Sequence, residues 1–176
     1  IVTVEDPVEF QMDGINQVSV RSDVGLTFAS ALRAILRQDP NIILIGEIRD
    51  LETVDIAIKS ALTGHLVLST LHTTTAPGSI VRLVNMGVEP FMINSSVICI
   101  IAQRLVRRVC QYCREVDPFA AQAVSSMKVT IPEGESPVFY KAKGCPKCLN
   151  MGYSGRVVIS EILVMTARLR DLVLKR

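Results

Sequence analysis

Tryptophan is missing from this 176-residue chain, aromatic residues make up 5% of it, and histidine occurs only twice. So few aromatics offer little to stack against bases. With a net charge of +2, composition argues for neither nucleic-acid nor membrane-surface affinity. The longest strictly apolar run, residues 97–102, falls far short of the roughly 18 residues a membrane-spanning helix needs. A basic n-region is absent too: the chain opens on IVTV and runs straight into Glu5 and Asp6, so no signal peptide is expected. What is abundant is aliphatic residues, with 49% hydrophobic content and a mean hydropathy of +0.37. That much apolar surface with no membrane anchor implies a sheet buried on both faces, or faces that meet other domains.

The most informative stretch is residues 36–50, LRQDPNIILIGEIRD. Four apolar residues, Ile42-Ile43-Leu44-Ile45, follow a turn at Asp39-Pro40-Asn41, the pattern of a strand buried on both faces of a parallel α/β sheet. Glu47 then stands at the strand's carboxyl end, where open α/β sheets bind ligands. Gly46 before it lets backbone approach without a Cβ in the way. Residues 1–4 read as a second strand whose end carries Glu5 and Asp6, with a polar turn set by Pro7 as the plainer reading. A core strand at the first residue leads us to expect chain before Ile1.

Residues 15–20 alternate weakly and suggest an edge hairpin strand with Phe10. Thr27 is an N-cap candidate for a helix whose stripe is Phe28, Ala31, Leu32, Ile35 and Leu36. Arg33 and Arg37 share its other face, either solvated or free for phosphate and interface contacts. An amphipathic helix over residues 51–62 closes at Gly64. His65 and His72 bracket the next apolar strand, residues 66–71. His72 falls at its exit, the rim shared with Glu5 and Glu47; His65 falls at its entry, and packing is an equal reading for it. Further helices are expected from a start near Pro77 through residues 80–86 to an end at Gly87, and from Phe91 to about Gln103. The second of these carries Cys99, read as a buried small hydrophobe. The strand–helix rhythm to residue 103 implies parallel strands with right-handed crossovers.

Beyond it, Cys110-x-x-Cys113 and Cys145-x-x-Cys148 form two knuckles. Four thiolates are the ligand set of a closed, tetrahedral structural zinc site and leave no open position for catalysis. The 31 residues between the pairs exceed the usual ribbon spacing, but a longer loop adds little closure entropy. A short helix is expected at residues 120–127. A strand over residues 157–163 then returns to the main body, and a helix begins at 166. The domain reading is an α/β core at 1–105, a tetracysteine subdomain at 106–155, and a returning strand with a helical piece at 156–176. Cysteine in metal-type spacing points to a reducing compartment.

The blocks TVEDPVEF, LRQDPNIILIGEIRD, TGHLVLSTLHTTTA, RLVRRVCQYC and GCPKC with GYSGR resemble the ATPases of bacterial type II secretion and type IV pilus assembly, in the family's order and across essentially the whole chain. The resemblance implies a RecA-like ATPase core carrying an Asp box (TVEDPVE), an atypical Walker B (LIGEIRD) and a His box (TGHLVLSTLHT). The tetracysteine region favours the secretion or assembly branch over pilus-retraction relatives. By resemblance, Glu47 polarises or deprotonates the attacking water and Glu5 assists it. His72 contacts the γ-phosphate and Arg49 ties the Walker B loop to its neighbours. Asp6, Gly46 and His65 fall near nucleotide and Mg²⁺. The implied cofactors are ATP with Mg²⁺ and a structural Zn²⁺. The implied assembly is a homo-oligomer, a hexamer, working with platform proteins at the cytoplasmic face of the inner membrane and binding no nucleic acid.

The chain departs from the pattern in two places that matter. Gly46 stands where an ordinary Walker B has aspartate, which leaves direct Mg²⁺ ligation open. No GxxxxGK[ST] occurs in the 176 residues, so the P-loop is expected upstream and the fragment alone is expected to be inactive. A zinc-stabilised protein-binding adapter is the rival class. It accounts for the cysteines and apolarity, but not for two carboxylates and a histidine at three strand ends. A nucleic-acid-binding zinc ribbon built on Arg104, Arg107, Arg108 and Arg114 is disfavoured by the low net charge.

Overall fold

The computed structural model describes residues 1–126 and 138–175. The chain divides into two compact units, Ile1–Ala102 with Glu161–Arg176, and Gln103–Ser160.

The first unit is built on a four-stranded parallel sheet. Its strands are β1 (Val2–Glu5), β2 (Asn16–Ser19), β3 (Ile42–Ile45) and β4 (Leu66–Ser69), in the order β2-β1-β3-β4. β2 is the edge strand expected from its alternation, but not half of a hairpin. It runs parallel to β1 with Asn16 beside Val2, because residues 6–15 carry the chain back to the start of the sheet. Helix α1 (Phe28–Leu36) begins at a capping box: Thr27 accepts from the Ser30 N–H and the Ser30 hydroxyl accepts from the Thr27 N–H. It turns Ala29, Ala31, Leu32 and Ile35 inward. Helix α2 (Leu51–Leu62) packs beside α1 and inserts Val54, Ile56, Ala57 and Ile58 into the same core as Val4, Ile43 and Ile45. Burying each such side chain stabilises the fold by roughly 1.5–3 kcal/mol.

β3 is less enclosed than its unbroken apolar run implies. Ile43 and Ile45 are fully buried, whereas Ile42 and Leu44 are half-buried. The described helices therefore cover fully only the face that Ile43 and Ile45 enter.

Helix α3 (Ala76–Asn85) carries Pro77 in its first turn, as the sequence suggests, and is capped by the Thr75 side chain on the Gly78 N–H. Helix α4 (Pro90–Ser96) is much shorter than expected. Val97 already has extended backbone, and Cys99 opens β5 (Cys99–Val109), where its side chain is exposed. Val97, Ile98, Ile100 and Ile101 are β-branched, which is compatible with extended backbone once a pairing partner is present. Met165 donates its N–H to Ile98 O, and helix α6 (Ala167–Leu174) packs on α4, where Asn94 Nδ2 donates to Arg170 O at 2.7 Å.

β5 pairs with β8 (Tyr153–Val164), and in the second unit β6 (Arg114–Val116) lies antiparallel to β7 (Tyr140–Ala142). Helix α5 (Ala120–Ser126) follows β6; the expected end of this helix at Met127 lies outside the described residues. Among the described residues of this unit, the only buried hydrophobic ones are Cys110 and Cys148. Phe119, Leu149 and Met151 are exposed. A unit with so little apolar core needs another source of stability. No described helix is long and apolar enough to cross a membrane.

Candidate functional site

Three parallel strands end together in the first unit, and the polar residues after them line one cavity of about 350 Å³. Glu5, Asp6, Pro7 and Glu9 contribute from the exit of β1, Gly46, Glu47 and Arg49 from that of β3, and Thr70 and His72 from that of β4; Phe28 and Leu44 also face it. The Asp6–Pro7 peptide is cis.

The geometry starts with backbone. Gly46 N–H donates to Val4 O at 2.7 Å, and Ile48 N–H donates to Thr70 O at 3.1 Å. Thr70 Oγ1 donates to Gly46 O at 2.6 Å. Gly46 is therefore clamped between the two neighbouring strands. A Cβ there would lie 3.2 Å from Val4 O and 3.4 Å from Glu5 Cα, so a side chain at this point would press on the β1 backbone.

Glu47 follows, its side chain only 13% exposed. Its Oε1 is ion-paired to Arg49 Nη2, and its Oε2 lies 2.8 Å from His72 Nε2. The Arg49 contact, then the His72 contact, hold the Glu47 carboxyl below its ordinary value, against the opposing effect of burial. Arg49 is raised in turn, first by its hydrogen bond to Glu47, with a smaller contribution from Asp6. Glu5 Oε1 accepts from Thr3 Oγ1 at 2.5 Å and from Gln17 Nε2 at 3.0 Å.

The structure thus gathers Glu5, Asp6, Gly46, Glu47, Arg49 and His72 around one cavity. It does not gather His65. That residue sits at the amino end of β4, where Nδ1 lies 3.0 Å from Ser60 O and 3.3 Å from Thr63 Oγ1, and it is a turn residue between α2 and β4. Sequence reading missed Thr70 and Phe28. Thr70 had a signal, as a hydroxyl at the exit of the strand beside β3. Phe28 had none, since its place in a helical stripe reads as core.

In the second unit the sulfurs of Cys110, Cys113, Cys145 and Cys148 all lie within 4.8 Å of one another. Gly152 N–H and Cys145 N–H donate to Cys148 Sγ at 3.2 and 3.3 Å. Burial opposes the Cys148 thiolate, yet these N–H groups bring its thiol down to about 7. Burial, foremost, pushes the Cys113 thiol up to about 11. The close approach that builds the site needs Gly152, at φ +74°, where a Cβ would come within 2.7 Å of the Ala142 Cβ. The four-sulfur donor set and its N–H donors fit a thiolate-loving metal such as zinc.

A family model described as "Type II/IV secretion system protein" matches residues 1–176. The chain belongs to that family. It is 51% identical over 173 residues to the type II secretion system ATPase E of Vibrio cholerae, covering 98% of this chain and 34% of that protein. It is 51% identical over 175 residues to the type IV pilus assembly ATPase PilB of Myxococcus xanthus, covering 99% and 31%. This family member therefore spans about a third of the length of these relatives. Among solved structures it is similar to the pilus retraction motor PilT with bound ADP, at a TM-score of 0.68 and 31% identity, covering 99% of this chain and 41% of that one. The Legionella pneumophila ATPase DotB shares the fold, at a TM-score of 0.64. The RecA-like α/β reading of the sequence stands.

Proposed function

We propose that these residues are the water-positioning half of an ATPase site in a motor for type II secretion or type IV pilus assembly. The observation that carries this is Glu47, a mostly buried carboxylate held by Arg49 and His72 at the converging ends of three parallel strands. The names of the relatives support the same reading.

Phosphoryl transfer asks the protein mainly for in-line positioning of water and neutralisation of phosphate charge. Glu47, with its pKa lowered, is an anion at neutral pH that accepts a hydrogen bond from water. Its role is orientation more than long-lived proton storage. Both of its oxygens are occupied, and the exposed Arg49 side chain is the partner free to give one up. Glu5 assists from β1, and His72 keeps the Glu47 plane fixed and faces the phosphate side. Asp6 draws on Arg49. With no aspartate at position 46, Glu5, Asp6 and Glu47 are the residues that would hold Mg²⁺. Bound Mg²⁺ would supply charge neutralisation on the phosphates. His65 has no part in this reading.

The phosphate-cradling loop is assigned to chain beyond these 176 residues, which by themselves do not turn over ATP. In the four-cysteine site Cys110, Cys113, Cys145 and Cys148 hold a structural zinc. The assembled protein is a hexamer at the cytoplasmic face of the inner membrane, acting on platform proteins of the secretion or pilus machine. The decisive experiment is Glu47→Gln in the full-length protein. ATP turnover should fall about 100-fold or more with nucleotide binding retained. Unchanged turnover would overturn the role given to Glu47, whereas no turnover in the wild-type protein would favour the zinc-stabilised adapter reading.

A further inference from the structure

The pleat of the sheet places Thr3, Glu5, Gln17 and Leu44 on one face: Thr3 and Glu5 alternate with buried Val4 along β1, Gln17 lies beside Thr3 on β2, and Leu44 lies beside it on β3. On this face one side-chain amide makes three hydrogen bonds. Gln17 Nε2 donates to Glu5 Oε1 at 3.0 Å and to Phe10 O at 3.0 Å, while Gln17 Oε1 accepts from Met12 N–H at 2.8 Å. Buried Thr3 adds a second donor to the same Glu5 oxygen at 2.5 Å. Glu5 Oε2 accepts no hydrogen bond from the described residues. A carboxylate tied through one oxygen by two donors has a fixed plane, with its other oxygen available to water or a hydrated cation.

The same amide holds the segment after the cis Asp6–Pro7 bond. Phe10 and Met12 leave their side chains exposed, at 81% and 49%, so this stretch gets little from apolar packing. Its backbone is fastened through Gln17 instead, and Glu9 of that stretch lines the cavity.

We propose that Gln17 is a positioning residue that aims the free oxygen of Glu5 into the cavity. The proposal rests on the reading of Glu5 as an assistant to the attacking water, and its test separates the two. In the full-length protein, Gln17→Leu should lower kcat for ATP hydrolysis about tenfold or more, with KM changed by less than about twofold. Glu5→Gln should lower kcat as well, and the Glu5→Gln/Gln17→Leu double variant should be no slower than Glu5→Gln alone, because the amide then has nothing to aim. Full kcat in Gln17→Leu, or losses that multiply in the double variant, overturns the role of Gln17 while leaving Glu5 in place. An unchanged kcat in Glu5→Gln overturns the reading of Glu5, and the proposal with it. If thermal unfolding shows that Gln17→Leu does not fold, Gln17→Met removes the same donor with a side chain of similar length, and the same outcomes decide.

Discussion

Glu47 and Gly46 are adjacent, and opposite pressures act on them. Glu47 has to stay charged in a partly enclosed place, which Arg49 and His72 make possible. Its folded-state pKa lies below the ordinary 4.5. The contacts therefore contribute stability above the unfolded-state value and lose it as pH falls through the lower folded value. A carboxyl ¹³C titration of this chain should give Glu47 a midpoint below 4.5, and Arg49→Ala should raise that midpoint toward the ordinary value. A wild-type midpoint at or above 4.5 would show that the pair does not form in solution. A side chain at Gly46 would crowd the β1 backbone, which lies 3.2 Å from an added Cβ. Gly46→Ala is expected to destabilise the fold by about 1–3 kcal/mol through overpacking against a central strand, measured by urea denaturation.

At the scale of elements, each site residue is presented by a strand end, and the helix that follows fixes the exit loop. Asp50 shows this best: Oδ1 accepts from Thr53 N–H at 2.7 Å and Oδ2 from Thr53 Oγ1 at 3.1 Å. It caps α2 three residues after Glu47. Asp50→Ala should cost about 1 kcal/mol in the same denaturation assay, and should broaden the Glu47 and His72 resonances as the loop loosens. Caps of this kind were legible beforehand. Thr27, the stripe of α1 and the bounds of α2 follow from local chemistry, which acts over one or two turns. The end of α4 was not legible, because a run such as VICIIA suits a buried helix or a strand equally until its partner is known. Its partner is β8, more than fifty residues later.

At the scale of the molecule, the two units are stabilised differently. The first has a continuous aliphatic core; the second has two buried cysteines among its described hydrophobic residues and four sulfurs within 4.8 Å. Zinc binding in such a unit is folding free energy, so about one zinc per chain is expected by elemental analysis of reduced protein, with loss of this unit's structure on chelation. The chain supplies its own probe. It has no tryptophan, and its three tyrosines all lie in the second unit. Each is covered by a cation: Arg107 over Tyr153, Arg114 over Tyr140 and Lys147 over Tyr112. Tyrosine fluorescence and near-ultraviolet dichroism should therefore change on chelation, while amide signals of the parallel sheet persist. A tyrosine signal indifferent to chelator would mean the unit folds without metal. Two of the arginines that might have suggested a nucleic-acid surface, Arg107 and Arg114, are thus engaged with rings of their own unit.

The residues alone specified the parallel α/β core, the carboxylates and histidine at the carboxyl ends of its strands, and the four metal-type cysteines, because alternation, capping and CxxC spacing are short-range properties. Which of those residues meet was settled by three-dimensional packing. The registers of β1, β3 and β4 bring Glu5, Glu47 and His72 to one cavity, while the length of β4 carries His65 to the far end. Gln17 joins Glu5 only because β2 returns parallel to β1, a pairing that no local pattern encodes.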